Sequence, residues 1–242
     1  MTLSDETRLS DEVRRRLAAC SSATLSTQLF KRGLRNQVLQ GVSRLTPKAP
    51  PMVGEAFTLR NIPAREDIDH IGVYDDPEHP QRKAIEVAPP GCVLVIDCRG
   101  DARSASAGGI LVRRLAVRGV AGLVTDGGLR DTPEIAERDF PVYCKAPSAP
   151  ISLIHHHAVD TNVPIACGGV AVYPGDVMVG DGEGVIVIPR KIADEVAADT
   201  FEQEKLEEFV QLEIAAGRPL PGTYPPNSAT RKRYEEWKKK KR

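Results

Sequence analysis

The stretch that most constrains the fold covers residues 105–131, ASAGGILVRRLAVRGVAGLVTDGGLRD. Two adjacent glycines come first. Apolar residues then recur at helical spacing among arginines, which predicts a helix that ends at Gly119. Short apolar runs at 92–97 and 120–125 flank this helix and predict two buried strands. The strand–helix–strand order predicts a βαβ unit, whose two strands are parallel and joined by a right-handed crossover.

The two polar loops of this unit, at 98–109 and 126–131, are predicted to lie where a ligand binds, because ligands of open α/β sheets bind beyond the carboxyl ends of the strands. A helix that starts on two glycines exposes backbone N–H groups, and its dipole favours an anion. Arg130 is suited to bind a carboxylate or carbonyl oxygen, and Asp131 is suited to bind Mg²⁺. Alternatively, the glycines only permit close packing and the Arg–Asp pair is a surface ion pair. The residues alone leave both interpretations open.

Taken with four further segments, this stretch resembles the RraA-like family, which includes the 4-hydroxy-4-methyl-2-oxoglutarate/4-carboxy-4-hydroxy-2-oxoadipate aldolases. The resemblance covers roughly residues 23–189. The further segments are VGEAFTLR (53–60), PPGCVLVIDCRG (89–100), FPVYCKAPSAP (140–150) and CGGVAVYPGDVMVGDGEGVIVIP (167–189). The resemblance implies an α/β/α sandwich of the swivelling-domain-like type, with N-terminal helices and a long C-terminal helical extension. It also implies a homotrimer or hexamer with active sites between subunits.

The resemblance further implies a lyase of the metal-dependent pyruvate-aldolase kind. Arg130 would polarise the keto group of a 2-oxo acid and steady the resulting enolate, and Asp131 would bind Mg²⁺ or Mn²⁺. Backbone amides at the helix start would hold the substrate carboxylate, and they belong to Gly108, Gly109, Ile110 and Leu111.

One position departs from the family pattern. The aldolases carry an acidic residue where this chain has Gly109. In the family, an acidic residue near the C terminus of a neighbouring subunit approaches the metal, and the resemblance offers four candidates for that role: Glu202, Glu204, Glu207 and Glu208. The departure leaves alternatives to an aldolase or decarboxylase open. These are a dehydratase-like lyase on a 2-oxo-3-deoxy sugar acid and a non-enzymatic regulatory protein of the ribonuclease-inhibitor type.

Composition narrows the class of partner. The 33 basic and 33 acidic residues balance, so the charge of the whole chain favours no strongly charged partner. The basic end, RKRYEEWKKKKR, is expected to be a solubilising, frayed helix end, and binding to nucleic acid is not expected. Five scattered cysteines without a Cys-x-x-Cys pair predict buried, reduced thiols. We expect a cytoplasmic protein without a signal peptide or membrane span.

Other patterns predict the remaining elements. Helices are expected at 10–20, capped by Ser10, at 22–32, at 81–87 and from 132 onward. Strands are expected at 55–60 and 140–144, and short strands with turns between 163 and 188.

The remaining segments are predicted to be irregular or to lie outside the main domain. The segment 61–80 is predicted to be an exposed loop that includes one helical turn. The three adjacent histidines, His155, His156 and His157, are predicted to be loop or helix-start residues that do not converge on one metal ion. Residues 1–190 are predicted to form the main domain. Residues 191–242 are predicted to form a helix, an extended Pro-rich connector (217–227) and a tail that pack on a neighbouring subunit.

Overall fold

The structure is a computed structural model and describes residues 8–241. Its α-helices are α1 (Asp11–Ala18), α2 (Ser22–Lys31), α3 (Pro80–Val87), α4 (Gly109–Val117), α5 (Thr132–Ala136), α6 (Arg190–Ala215) and α7 (Ser228–Lys241). Its strands are β1 (Ser43–Arg44), β2 (Met52–Pro63), β3 (Val93–Asp97), β4 (Ala105–Ala107), β5 (Gly122–Thr125), β6 (Gly128–Leu129), β7 (Val142–Cys144), β8 (Ala146–Pro147), β9 (His156–Thr161), β10 (Ile165–Cys167), β11 (Val170–Val172), β12 (Val177–Gly180) and β13 (Val185–Ile188). Short 3-10 helices cover Ile71–Asp75 and Ser152–Ile154.

The main sheet has eight strands in the order β1–β7–β5–β3–β2–β12–β13, and β9 also pairs with β2. Strands β2, β3, β5 and β7 run parallel, whereas the pairings of β1, β9, β12 and β13 are antiparallel. The predicted βαβ unit is confirmed, because β3 and β5 are parallel neighbours and α4 lies between them in the chain.

Successive side chains of a strand point to opposite faces of the sheet, so apolar side chains form a core on both faces. In β3, Leu94 and Ile96 pack in one cluster with residues of α3, α4 and α5. Val93 and Val95 belong to a second cluster, which includes the β10–β11 hairpin. A third cluster joins α1, α2 and α6 to β12 and β13. Helices therefore cover the sheet in layers, as expected for the α/β/α sandwich, and the long C-terminal helix is present.

A second, small sheet lies beyond the ends of the parallel strands and positions the candidate site. Strands β4, β6 and β8 pair in parallel and follow β3, β5 and β7 along the chain. The hydroxyl of Ser106 bonds to Thr125 Oγ1 and to Gly128 O, both at 3.1 Å, and so fastens the small sheet to the end of β5. The two predicted loops therefore each contain a short strand. Strands of two or three residues carry no periodic pattern and form through pairing alone.

A buried carboxylate holds the loops at this edge together. Asp126 is 4% exposed. It accepts hydrogen bonds from the N–H groups of Cys98 at 2.7 Å, Gly100 at 2.9 Å and Gly168 at 3.3 Å. One side chain thus connects the end of β5 to the loop after β3 and to the turn between β10 and β11.

We expect Asp126→Ala to lower the free energy of unfolding by about 3 kcal/mol, because it leaves several buried N–H groups without an acceptor. Urea denaturation measures this value. The matched control is Asp160→Ala, since Asp160 is exposed and its recorded bond is to the neighbouring Thr161 N–H. The control should cost less than about 0.5 kcal/mol, and an equal loss in both variants would contradict this role for Asp126.

The N-terminal helices follow the sequence closely. The Ser10 side chain accepts a hydrogen bond from Val13 N at 3.2 Å, so the predicted cap of α1 is confirmed. The Ser21 side chain caps α2 in the same way, by accepting from Thr24 N at 3.1 Å.

The five cysteines are buried and free, as predicted. Burial raises the pKa of the Cys98 thiol to about 12.

The prediction of an extended connector at 217–227 is wrong, because residues 221–226 form turns and Asn227 N–H donates to Gly222 O at 2.9 Å. The basic end is helical, as predicted, and belongs to α7, whose Tyr234 and Trp237 pack on Phe209 of α6 with ring centroids 5.7 Å apart in each pair. These aromatic contacts join residues distant in sequence, so the charge pattern conceals them. Residue 242 lies outside the described range, and packing of 191–242 on a neighbouring subunit stays a prediction.

The segment 61–80 contains the predicted helical turn, a 3-10 helix over Ile71–Asp75, but strand β2 continues into the segment as far as Pro63. The side chain of Asp69 is only 1% exposed and accepts a hydrogen bond from His157 Nδ1 at 2.7 Å. The prediction of an exposed loop is therefore wrong at the side chain of Asp69. Across residues 8–241, no helix has the length and apolar character needed to cross a membrane.

Candidate functional site

A cavity of about 320 Å³ opens where β4 leads into α4 and β6 leads into α5. The structure brings most of the predicted site residues to its wall, namely Gly108, Ile110, Leu111, Arg130 and Asp131. Gly109 lies directly behind this wall, where its N–H donates to Asp131 Oδ2 at 3.0 Å. The two parts of the predicted site, residues 108–111 and residues 130–131, therefore lie next to each other in the structure.

Gly108 permits this meeting because it has no side chain. A Cβ atom at this position would lie 2.7 Å from Arg130 Cγ and 2.9 Å from Asp131 Oδ2. Gly108 is the N-cap of α4 and has extended backbone geometry, with φ −136°. Glycine is therefore required at this position because Arg130 and Asp131 approach it closely, and not because the backbone is left-handed.

The start of α4 offers backbone donors to an anion. In the first turn of a helix, N–H groups such as those of Ile110 and Leu111 have no acceptor within the helix. The Gly109 N–H already donates to Asp131, so in this structure that amide is directed to a carboxylate of the protein itself. The predicted carboxylate-binding role therefore rests most directly on Ile110 and Leu111.

Arg130 and Asp131 form the charged part of the wall. Their side chains are 45% and 42% exposed, and Arg130 Nε lies 3.7 Å from Asp131 Oδ2. Asp131 has a left-handed backbone with φ 60° and ψ 28°, a conformation that costs a non-glycine residue about 1 kcal/mol. This backbone conformation lets the chain turn into α5 and places the Asp131 carboxylate at the start of α4.

The carboxylates at the cavity fit a divalent cation that takes only one or two ligands from the protein. Among residues 8–241 there is no group of three or more His, Cys, Asp or Glu residues that could hold a metal ion. Mg²⁺ is commonly bound through one or two carboxylates and keeps several waters, and Asp131 supplies one such carboxylate. A second carboxylate lies near Gly109, because a Cβ atom at that glycine would lie 3.2 Å from Glu134 Oε2.

The sequence analysis identifies no individual residue of the other wall of the cavity, which comes from segments outside the βαβ unit. Five residues beyond those already named face the cavity there: Tyr74, Gln81, Arg82, Ile151 and Ser152. Gln81 is 4% exposed and donates from Nε2 to Ser106 O at 2.7 Å. The Arg82 guanidinium stacks over the Tyr74 ring, with Cζ 4.1 Å from the ring centroid. An isolated arginine in a short helix carries no motif that would have identified it.

Two of the three adjacent histidines, His156 and His157, begin β9 instead of lying in a loop or helix start. His156 is 1% exposed, and its Nε2 lies 3.3 Å from Ser104 O. Successive strand residues point to opposite faces, which separates His156 from His157. Burial is the main cause that lowers the pKa of His156 below its ordinary value of 6.5.

This buried imidazole predicts how stability depends on pH. The unfolded histidine takes up a proton near its ordinary value of 6.5, whereas the folded one does so only at lower pH. The unfolded state then binds more protons, so the free energy of unfolding should fall as pH falls below about 6.5. Urea titrations at pH 7.5 and 5.5, values chosen to bracket the ordinary histidine pKa of about 6.5, should show a smaller difference for His156→Gln than for wild type. Replacing the exposed His70 by Gln should leave the wild-type difference, and equal differences in all three proteins would contradict the assignment.

The α6 glutamates do not line the cavity within the described chain. Glu204 accepts from Ser21 N and Ser21 Oγ, both at 2.8 Å, and Glu207 Oε2 accepts from Thr24 Oγ1 at 3.5 Å. These contacts hold α6 against the N-terminal helices. A role for any α6 glutamate at the site of a neighbouring subunit stays a prediction.

Comparison with known proteins agrees with the geometry. The family model for RraA-like proteins, described as Aldolase/RraA, matches residues 7–187. The chain belongs to the RraA-like family. A relative from Halalkalibacterium halodurans, provisionally named 4-hydroxy-4-methyl-2-oxoglutarate aldolase, is 42% identical over 161 residues, which cover 64% of this chain and 70% of that protein.

Solved structures show the same fold. Streptomyces coelicolor RraAS2, described as an unusual member of the RNase ES inhibitor RraA protein family, has a TM-score of 0.74 and 33% identity, covering 84% of this chain and 98% of its own. An uncharacterized protein from Pseudomonas syringae has a TM-score of 0.75 at 24% identity, covering 90% and 98% of the two chains, and supports the fold alone. RraA-like relatives thus include both proteins named as aldolases and a protein described as an inhibitor-family member.

Proposed function

We propose that this protein is a divalent-metal-dependent carbon–carbon lyase, of the aldolase or decarboxylase type, that acts on small 2-oxo acids. One observation carries the proposal: the Arg130 guanidinium and the Asp131 carboxylate share a cavity with the exposed start of α4. The cavity therefore combines donors for a carboxylate, a cation for a keto oxygen and a hard ligand for Mg²⁺ or Mn²⁺. The relatives named as aldolases support the same class.

Each group has a role in binding and orienting the substrate. The N–H groups of Ile110 and Leu111 bind the substrate carboxylate at the positive end of α4. Arg130 donates to the keto oxygen, and Asp131 holds the cation. When bound, the metal supplies a Lewis acid that withdraws electrons from the keto group.

This arrangement supports cleavage next to the bound 2-oxo acid. Loss of the proton from a C4 hydroxyl turns C4 into a carbonyl, the C3–C4 bond breaks, and its electron pair becomes part of a pyruvate enolate. Arg130 stabilises the negative charge on the enolate oxygen. In an oxaloacetate-like substrate, carbon dioxide leaves from the same position and the same enolate remains. Protonation at C3 then yields pyruvate.

The test is pyruvate release from a panel of 4-hydroxy-2-oxo acids and oxaloacetate, first with Mg²⁺ or Mn²⁺ and then with chelator. We expect release that requires the metal, with the best substrate identifying the reaction subtype. Absence of release from every acid would contradict the lyase proposal. Water loss from a 2-oxo-3-deoxy sugar acid under the same conditions would instead support the dehydratase alternative.

A regulatory binding protein is the second candidate, favoured by the 33% identity to Streptomyces coelicolor RraAS2. Such a protein would bind a ribonuclease without turning over a 2-oxo acid. A ribonuclease assay with added protein, run beside the pyruvate assay, separates the two functions.

We also propose that the protein assembles as a homotrimer or hexamer whose neighbouring subunit completes the site. Ile110 lines the cavity but is 85% exposed, and Val117, two helical turns further along α4, is 72% exposed. Exposed apolar side chains beside the cavity are suited to contact with a second copy. Light scattering on the eluting protein gives the molar mass, and a monomer would contradict the proposal.

A further inference from the structure

The proposed reaction ends when C3 of the enolate takes up a proton, and the groups assigned so far do not supply that proton. Arg130 donates to the keto oxygen, and a guanidinium does not give up its proton in proteins. Asp131 is assigned to the cation, and the N–H groups at the start of α4 are assigned to the substrate carboxylate. The proton therefore comes either from another side chain of the cavity or from water.

Two of the described residues that line the cavity carry a hydroxyl group, Tyr74 and Ser152. Gln81 also lines it, but its amide is buried and already donates from Nε2 to Ser106 O at 2.7 Å. A phenol has an ordinary pKa of about 10, and it gives up its proton far more readily than an aliphatic hydroxyl does. Tyr74 is therefore the side chain of this cavity that is best suited to give a proton to carbon.

Contacts at the face, the ring and the hydroxyl hold Tyr74 in position. The Arg82 guanidinium stacks over the face of the ring, with Cζ 4.1 Å from the ring centroid. The rings of Tyr74 and His79 pack edge to face, with centroids 5.3 Å apart. The Tyr74 hydroxyl forms a hydrogen bond with the Ser152 side chain. A hydroxyl held in this way keeps one direction relative to the cavity, which proton transfer to a bound substrate requires.

The charges around Tyr74 suit a group that gives up a proton and later regains it. Burial is the main cause that raises the pKa of Tyr74 above its ordinary value of 10.0, so the hydroxyl keeps its proton at neutral pH. Arg82, Ser152 and Arg130 act in the opposite direction, because positive charge and a hydrogen bond stabilise the phenolate. The hydroxyl is therefore protonated before a transfer, and the phenolate that remains after it has stabilising neighbours.

We propose that Tyr74 is the general acid of the reaction and gives its hydroxyl proton to C3 of the enolate. The phenol O–H bond breaks and its electron pair stays on the oxygen as phenolate. An electron pair of the enolate forms the new C3–H bond, and the keto group of pyruvate is restored. Water then returns a proton to the phenolate. The inference rests on the proposed function for the enolate. Tyr74 is the catalytic residue, and Ser152 and Arg82 position it.

The test compares two rates in wild-type protein and in Tyr74→Phe, both in the presence of Mg²⁺. The first is hydrogen exchange at C3 of pyruvate in D₂O, and the second is release of carbon dioxide or a carbonyl compound from the best acid of the panel. Exchange passes through the Tyr74 proton transfer in both directions, so Tyr74→Phe should lower its rate by about a hundredfold or more, the typical contribution of a general acid or base. Release should fall far less, because the carbon–carbon bond breaks before Tyr74 acts and the enolate then takes a proton from water.

The matched control is Tyr173→Phe, which removes the same hydroxyl from a residue that is 57% exposed and does not line this cavity. Both rates should stay at their wild-type values in the control. Phenylalanine at position 74 keeps a ring for Arg82 to stack on, so Mn²⁺ and pyruvate should bind to Tyr74→Phe with nearly wild-type affinity. Thermal melting of each variant confirms that it is folded.

The outcomes separate this inference from the lyase proposal. A selective loss of exchange in folded Tyr74→Phe supports the inference, because a merely structural role would lower both rates together. Equal losses of the two rates, or exchange at the wild-type rate, overturn the inference and leave the lyase proposal standing. Wild-type protein that shows neither exchange nor release overturns the lyase proposal and the inference with it.

Discussion

Asp131→Asn is expected to lower metal-dependent pyruvate release by at least about a hundredfold, because asparagine keeps the shape of the side chain but loses the charge that binds the cation. Arg130→Ala should produce a loss of similar size by removing the donor to the enolate oxygen. Steady-state pyruvate release measures both effects. Mn²⁺ binding followed by electron paramagnetic resonance should weaken in Asp131→Asn and change little in Arg130→Ala.

Two surface variants control for general effects of removing these charges. Asp139→Asn changes an exposed carboxylate a short distance along the chain from Asp131, and Arg15→Gln changes an exposed guanidinium on α1. Both should retain wild-type turnover and Mn²⁺ affinity. Wild-type turnover in well-folded Asp131→Asn and Arg130→Ala would show that the reaction takes place elsewhere.

Gly108→Ala is expected to reduce kcat by about a hundredfold, since an error of about 1 Å in the placement of reacting groups can cost that much. The added Cβ would lie 2.7 Å from Arg130 Cγ and 2.9 Å from Asp131 Oδ2, so both functional side chains must shift. The backbone of Gly108 is extended, with φ −136°, so alanine brings no conformational strain. The free energy of unfolding should fall by about 1–3 kcal/mol, the usual cost of overpacking. The protein should therefore stay folded at the assay temperature, and the loss of kcat should be seen in folded protein.

Gly182→Ala is the matched control for this variant. A Cβ atom at Gly182 would meet no heavy atom within 4 Å, so turnover and stability should both stay near their wild-type values. Equal activity in Gly108→Ala and wild type would mean that the observed packing of Arg130 and Asp131 against the start of α4 is not needed for catalysis.

The part of the site that the sequence predicts is the part built from local patterns. Two glycines before apolar residues at helical spacing predict the start of α4, and the apolar runs on either side predict β3 and β5. The parallel pairing of those strands then brings Arg130 and Asp131 toward Gly108. The assigned roles of these residues stay predictions until the proposed experiments are done.

The remainder depends on tertiary contacts that no local pattern reports. Tyr74 reaches the cavity from a segment whose many charges indicate an exposed loop, and Arg82 reaches it from the helix that follows. Only the folded chain shows the guanidinium stacked over the ring. Asp69 lies in the same charged segment, yet its side chain is buried by contact with His157 of β9. The order of α7 likewise comes from Tyr234 and Trp237 packing on α6. Each of these pairs joins residues from separate elements.

The most direct test of the central claim is hydrogen exchange at C3 of pyruvate in D₂O, followed by proton NMR, because exchange reports enolate formation without requiring the natural substrate. The account predicts exchange that requires protein and Mg²⁺ or Mn²⁺, that stops with chelator, and that is lost in Asp131→Asn and Arg130→Ala. Exchange at the buffer rate in wild-type protein, with and without metal, would contradict a metal-dependent pyruvate lyase at this site.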